Sequence, residues 1–252
     1  MNIGLALLLA ALAGLATTIG SLFGVIIKKP GPRFITLSLG FSAGVMIFVS
    51  FVELLSTGIQ SVGFIYAQIA FFSGIAITFL IDALIPHDYM AEHNLDDKKH
   101  RSRNLARTGL FVALGIAIHN FPEGLAVFAG TLQDVKLGIA IAVAIALHNI
   151  PEGIAVSVPV FIATGSRSKA FWWSFLSGMA ELAGALIAAL FLMPFLNQTV
   201  LGILLSAVAG IMTFISIDEL VPVSRSYGEE HLSIVGFVFG MMVMSLSLWI
   251  TL

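Results

Sequence analysis

Residues 137–162 read LGIAIAVAIALHNIPEGIAVSVPVFI. The run holds a single carboxylate and no Lys or Arg, and it exceeds the 20 or so apolar residues that carry a helix across a bilayer core. At its middle sit His148, Asn149, Pro151 and Glu152. The hexapeptide His148-Asn-Ile-Pro-Glu-Gly153 has a twin upstream, His119-Asn-Phe-Pro-Glu-Gly124, inside a second apolar stretch. Ionisable side chains at bilayer depth cost on the order of 2.5–3.5 kcal/mol each on insertion scales, so they mark ion or substrate paths. Two neighbouring spans therefore carry imidazole, amide and carboxylate together, which are ligands for a divalent cation.

Composition agrees. The chain has 252 residues, 58% hydrophobic and 10% charged, against about 25% charged in soluble domains. The fold class expected is an all-α polytopic membrane protein forming one transmembrane domain over residues 1–252, at home in the cell (inner) membrane with the lipid bilayer as its surroundings. Cysteine is absent, which excludes disulfides, thiolate metal sites and thiol catalysis. The basic residues lie in short loops and form no stripe, so no nucleic acid is expected as a partner. Met1–Ile27 contains Ala11-Leu12-Ala13, yet it lacks a basic leader and its apolar run is too long for a signal peptide, so it reads as the first span.

Eight spans emerge at 2–27, 34–57, 64–86, 108–130, 137–162, 170–194, 199–222 and 232–252. Lys and Arg orient them. Lys28, Lys29, Arg33, Lys98, Lys99, Arg101, Arg103, Arg107, Arg167, Lys169 and Arg225 fall in the loops of one side, and Lys136 alone falls on the other. The expectation is N-out and C-out.

Within that frame the polar groups form a ladder. Glu53 lies toward the outer end of span 2. His119, Asn120 and Glu123, then His148, Asn149 and Glu152, then Glu181, lie near mid-membrane. Asp82, Asp218 and Glu219 lie toward the inner face. No Lys or Arg at mid-depth balances the three central glutamates, so the compensating charge is a metal ion or protons. Residues three and four apart share a helix face, so Glu123 can serve with both His119 and Asn120, and Glu152 with both His148 and Asn149. Pro122 and Pro151 withdraw the hydrogen bonds due to the carbonyls of Ile118 and Leu147, which is why spans 4 and 5 are expected to be Pro-interrupted. Imidazole with carboxylate and amide oxygens suits zinc, with iron, manganese, cobalt or cadmium accepted as cargo. No cofactor is expected.

At these residues the chain resembles the ZIP (Zrt/Irt-like) family of divalent-metal transporters. The resemblance covers essentially the whole chain and includes Glu53 in Phe-Val-Glu-Leu-Leu, Ala180-Glu181 and Asp218-Glu219-Leu220. It implies eight helices, a binuclear site between helices 4, 5 and 6, and uptake toward the cytoplasm. It also implies a homodimer in which helices 1, 4, 5 and 6 move against helices 2, 3, 7 and 8. His119, Glu123, His148 and Glu152 match the core ligands, with Asn120, Asn149 and Glu181 completing the second ion. Histidine-rich loops found in some relatives between helices 3 and 4 shrink here to His87, His93 and His100.

Plainer readings stand beside these. A lone Asn at depth is commonly interhelical glue. Met46 reads first as core packing and second as a ligand, while Glu53, Asp218 and Glu219 read as pathway groups or as helix-end charges. Gly20-Ser-Leu-Phe-Gly24 fits the small-xxx-small rule for close helix packing. Gly40-Phe-Ser-Ala-Gly44 matches a nucleophile-elbow pattern, but an apolar span lacks the strand–turn–helix that motif needs. His-Glu-x-x-His is absent, and no enzyme is expected. Besides a carrier with alternating access, the alternatives are a divalent cation channel and an intramembrane zinc hydrolase.

Overall fold

Capping side chains, which hydropathy does not register, set where several helices begin. Asp134 accepts hydrogen bonds from the backbone N–H of Lys136 at 2.8 Å and of Leu137 at 3.1 Å. Ser166 does the same for Lys169, and Asn197 for Val200. Each satisfies a donor that the first turn of a helix leaves unpaired. The computed structural model describes residues 2–26, 31–83, 117–118 and 120–251. Its helices are α1 (Ile3–Ile26), α2 (Pro32–Val62), α3 (Phe64–Asp82), α4 (120–133), α5 (Val135–Thr164), α6 (Arg167–Phe195), α7 (Gln198–Arg225) and α8 (Glu230–Thr251). Among the described residues there is no strand. Seven of these helices are long and apolar enough to cross a membrane, and α4 is the described end of the remaining predicted span.

The departures from the sequence reading are local. Span 2 continues past residue 57 to Val62, and the loop expected between spans 4 and 5 shrinks to Asp134. Helix α5 runs unbroken through Pro151; what the proline interrupts is one hydrogen bond of the ladder, not the helix. Residues 84–116, His119, Lys28 and Lys29 lie outside the described residues. They carry the start of span 4, the first histidine of the paired motifs and seven of the basic residues used for orientation.

Lipid tails are as apolar as leucine, so helices in a membrane associate by close packing of small residues rather than by hydrophobic burial. The glycines show where. In one group α1, α4, α5 and α6 meet: a Cβ on Gly20 would come within 1.9 Å of the Ile150 carbonyl oxygen, and one on Gly14 within 2.3 Å of that of Gly178. In the other group α2 packs on α8 and α3 on α7. A Cβ on Gly44 would meet the Phe237 carbonyl oxygen at 2.0 Å, and one on Gly210 that of Phe71 at 2.0 Å. The same pattern recurs for Gly240 against Phe41 and Gly74 against Ala207.

In that second group these four contacts pair with twins 166 residues away (44 and 210, 71 and 237, 74 and 240, 41 and 207). The sequence repeats likewise: Ala43-Gly-Val-Met-Ile-Phe-Val-Ser-Phe-Val-Glu-Leu54 recurs as Ala209-Gly-Ile-Met-Thr-Phe-Ile-Ser-Ile-Asp-Glu-Leu220. Both copies carry a π-helical turn that starts at the serine, Ser50–Leu55 in α2 and Ser216–Leu220 in α7. Gly58 of α2 faces Gly202 and Ser206 of α7, so the two copies run antiparallel. They form an inverted repeat, an architecture common among secondary transporters.

Candidate metal centre

Helices α4, α5 and α6 each bring polar side chains into the interior of the first group. Asn120, Glu123, His148, Asn149, Glu152 and Glu181 are all fully buried. Motif glycines hold their helices close. A Cβ on Gly124 would stand 1.8 Å from the Glu181 carbonyl oxygen, and one on Gly153 1.9 Å from that of Thr17. The residue after each motif glutamate is thus the point where α4 touches α6 and α5 touches α1. Sequence reading assigned these two glycines no role, although their fixed place beside a buried carboxylate was the available signal.

Two contacts tie the carboxylates together across helices. His148 Nε2 lies 3.2 Å from Glu123 Oε1, joining α5 to α4. Asn149 Nδ2 donates to Glu181 Oε1, joining α5 to α6, and also to the Ala13 carbonyl at 2.9 Å. Asn120 Nδ2 donates to the Ser177 carbonyl at 3.1 Å. A backbone carbonyl can only accept, so it orients each amide with its nitrogen outward to the neighbouring helix. The glue reading of the asparagines therefore holds for their nitrogens. Their oxygens are a separate matter: among the described residues Asn120 Oδ1, Asn149 Oδ1, Glu123 Oε2 and Glu181 Oε2 are buried with no hydrogen-bond partner. Buried oxygen acceptors in a membrane interior are costly unless something electropositive meets them, and a divalent cation is such a partner.

Among the described residues no three His, Asp or Glu side chains already surround a single point as a closed metal cage. The described residues supply a His–Glu pair, an Asn–Glu pair, Asn120 and Glu152; His119 lies outside them. Met46 is fully buried on α2, one turn along from Ser42, whose hydroxyl donates to the His148 carbonyl at 3.3 Å. The remaining pathway candidates sit on α2, α3 and α7. Glu53 is buried within the π-turn of α2, while Asp218 is exposed and Glu219 half-buried within that of α7. Because the helices are antiparallel, these turns lie toward opposite ends of the pair. Asp82 closes α3. Gly40-Phe-Ser-Ala-Gly44 lies inside an unbroken helix, so it is no nucleophile elbow.

Comparison with known proteins points the same way. The family model described as ZIP Zinc transporter matches residues 85–248. A protein of Chlorobium phaeovibrioides named Zinc transporter ZupT is 52% identical over 256 aligned positions, covering 96% of this chain and 96% of that protein. Proteins of the same name from Clostridium perfringens and Oceanobacillus iheyensis are 49% and 50% identical, each covering 98% of this chain and 96% and 98% of their own lengths. With more than half of the chain matched by the family model and these relatives aligned nearly end to end, the chain belongs to the ZIP family of zinc transporters.

Proposed function

We propose that the chain carries zinc into the cytoplasm through a mid-membrane site in which His119, Glu123, His148 and Glu152 hold one ion and Asn120, Asn149 and Glu181 complete a second, with access alternating between the two faces. That it is a multi-pass membrane protein transporting divalent metal cations follows from its family, and transporter membership sets the hydrolase alternative aside. The observation that supports the finer reading is the full burial of Glu123, Glu181 and the two asparagines, each with an oxygen that has no hydrogen-bond partner among the described residues.

The division of the helices supports a carrier. All of the central ligands among the described residues stand on one packed group, and α2, α3, α7 and α8 make the other. Movement of the first group against the second would transfer the site between faces without dismantling it. A homodimer belongs to the same reading, as does the acceptance of iron, manganese, cobalt and cadmium beside zinc. Purified protein in liposomes is expected to take up zinc at a rate that saturates with concentration, and the other ions are expected to compete. Flux that rises linearly to high concentration would favour a channel.

Orientation is part of the proposal. Single cysteines at the N-terminus, at the C-terminus and at Lys136 are expected to react with impermeant maleimide from outside the cell, and cysteines at Lys98 or Arg103 only after permeabilisation. The chain has no native cysteine, so the background is clean. Outside labelling at Lys98 would reverse the topology.

A further inference from the structure

Among the described residues two side-chain hydrogen bonds join the two helix groups. One, Gln133 Nε2 to Ser61 Oγ at 3.5 Å, lies toward the far end of α2. The other is at the site: Ser42 Oγ donates to the His148 carbonyl at 3.3 Å with both residues fully buried. That carbonyl belongs to the turn of α5 bearing His148, Asn149 and Glu152. It neighbours the Leu147 carbonyl, from which Pro151 withdraws the usual helical partner.

The internal repeat provides a comparison within the same molecule. Continued one residue toward the N-terminus, the aligned copies place Ser42 of α2 opposite Val208 of α7. Both positions are buried in equivalent helices. Of the two copies, α2 sets a hydroxyl against the metal-bearing turn at Ser42, and α7 has valine at the equivalent place. Serine and valine differ at this place as the neighbouring helix requires, whereas Met46 and Met212, Ser50 and Ser216, and Glu53 and Glu219 are kept alike.

We propose that Ser42 is a positioning residue: its hydroxyl latches the metal-bearing turn of α5 to α2 through the His148 backbone, and release of this bond accompanies the change of access. The proposal rests on the transport reading above. A bond of 3.3 Å is long for O–H···O and connects surfaces that must part, so it weights one access state without locking it. The latch touches no metal ligand atom. Its loss alters how the site moves between faces and leaves the ligand set intact.

The test is a trio of variants assayed for zinc uptake in liposomes. S42T keeps the hydroxyl, S42V has the same shape as threonine without it and reproduces the α7 copy, and S42A removes it with least bulk. S42T is expected to lie within about twofold of wild type. S42V and S42A are expected to change the maximal rate about fivefold, the ratio that one neutral hydrogen bond sets, while the zinc concentration at half-maximal rate stays within about twofold. If S42A matches wild type, or if S42T and S42V behave alike, side-chain shape matters at this position and the latch is overturned. If the half-maximal concentration moves in step with the rate in S42A, the residue acts on binding and the latch is likewise overturned. Glu123→Ala is run alongside. Normal uptake in that variant would sink the site reading itself, whereas a dead Glu123→Ala with wild-type S42A would sink only the latch.

Discussion

Zinc uptake is expected to fall by more than about 100-fold in Glu123→Ala and in Glu152→Ala, with the protein still inserted and folded. Even outer partners of a metal ligand are worth roughly 10–100-fold in affinity or activity, and these carboxylates are proposed as ligands themselves. Glu123 has one oxygen at 3.2 Å from His148 and another that is buried with no hydrogen-bond partner among the described residues. Removing it deletes negative charge from the place where a divalent ion would need it most. Glu123→Gln separates charge from shape: it keeps the size and an oxygen, yet it is expected to be nearly as inactive. Folding is expected to survive because each substitution takes an ionisable group out of a membrane interior, where such groups are expensive. Uptake at the wild-type rate in either alanine variant would show that the ion passes elsewhere.

Gly153→Val is expected to lower the melting temperature of the transporter in detergent. The first side-chain carbon would lie 1.9 Å from the Thr17 carbonyl oxygen and 2.8 Å from the Ser21 nitrogen, so α1 and α5 must separate along the length of their contact. Backbone cannot step aside as a flexible side chain can, so the cost is expected at the upper end of the range for overpacking, about 3 kcal/mol. For a chain of this size that corresponds to roughly 10 °C in melting temperature. Gly124→Val is expected to act alike at the α4–α6 contact, where the new side chain's first carbon would lie 1.8 Å from the Glu181 carbonyl oxygen. Gly4→Ala is the control. Nothing lies within 4 Å of that site, and alanine is the better helix former by about 1 kcal/mol. A Gly153→Val protein that melts like wild type would mean that α1 and α5 are not packed as described.

Much of the architecture was readable in one dimension. Insertion into a bilayer is decided segment by segment, from the hydropathy of about 20 residues at a time, so the spans could be drawn from local composition to within a few residues. The larger departures fell at the end of span 2, where Gly63 with its positive φ closes the helix, and between spans 4 and 5, where Asp134 caps α5. The paired hexapeptides were equally legible, because a buried imidazole or carboxylate in an apolar run has few bland explanations. The repeat of Ala43–Leu54 at Ala209–Leu220 was also present in the sequence. It passed unnoticed because it consists chiefly of residues that any membrane helix contains, and only matching glycine contacts gave it meaning.

Tertiary structure alone decided the rest. Hydropathy cannot say which helix touches which, since every apolar surface is equally content in lipid; the choice is made by shape, at Gly20, Gly124 and Gly153. It also divided each asparagine into a nitrogen that ties helices together and an oxygen buried with no hydrogen-bond partner among the described residues, a distinction no residue name carries. And it turned Ser42, in sequence a chance fragment of a hydrolase pattern, into a hydroxyl against the backbone of His148. The sequence by itself determined that this chain crosses the membrane repeatedly and carries His, Asn and Glu within its apolar runs, because both are properties of local composition. Which oxygens converge and which surfaces can part are properties of contact between distant segments, and contact exists only once the helices have packed.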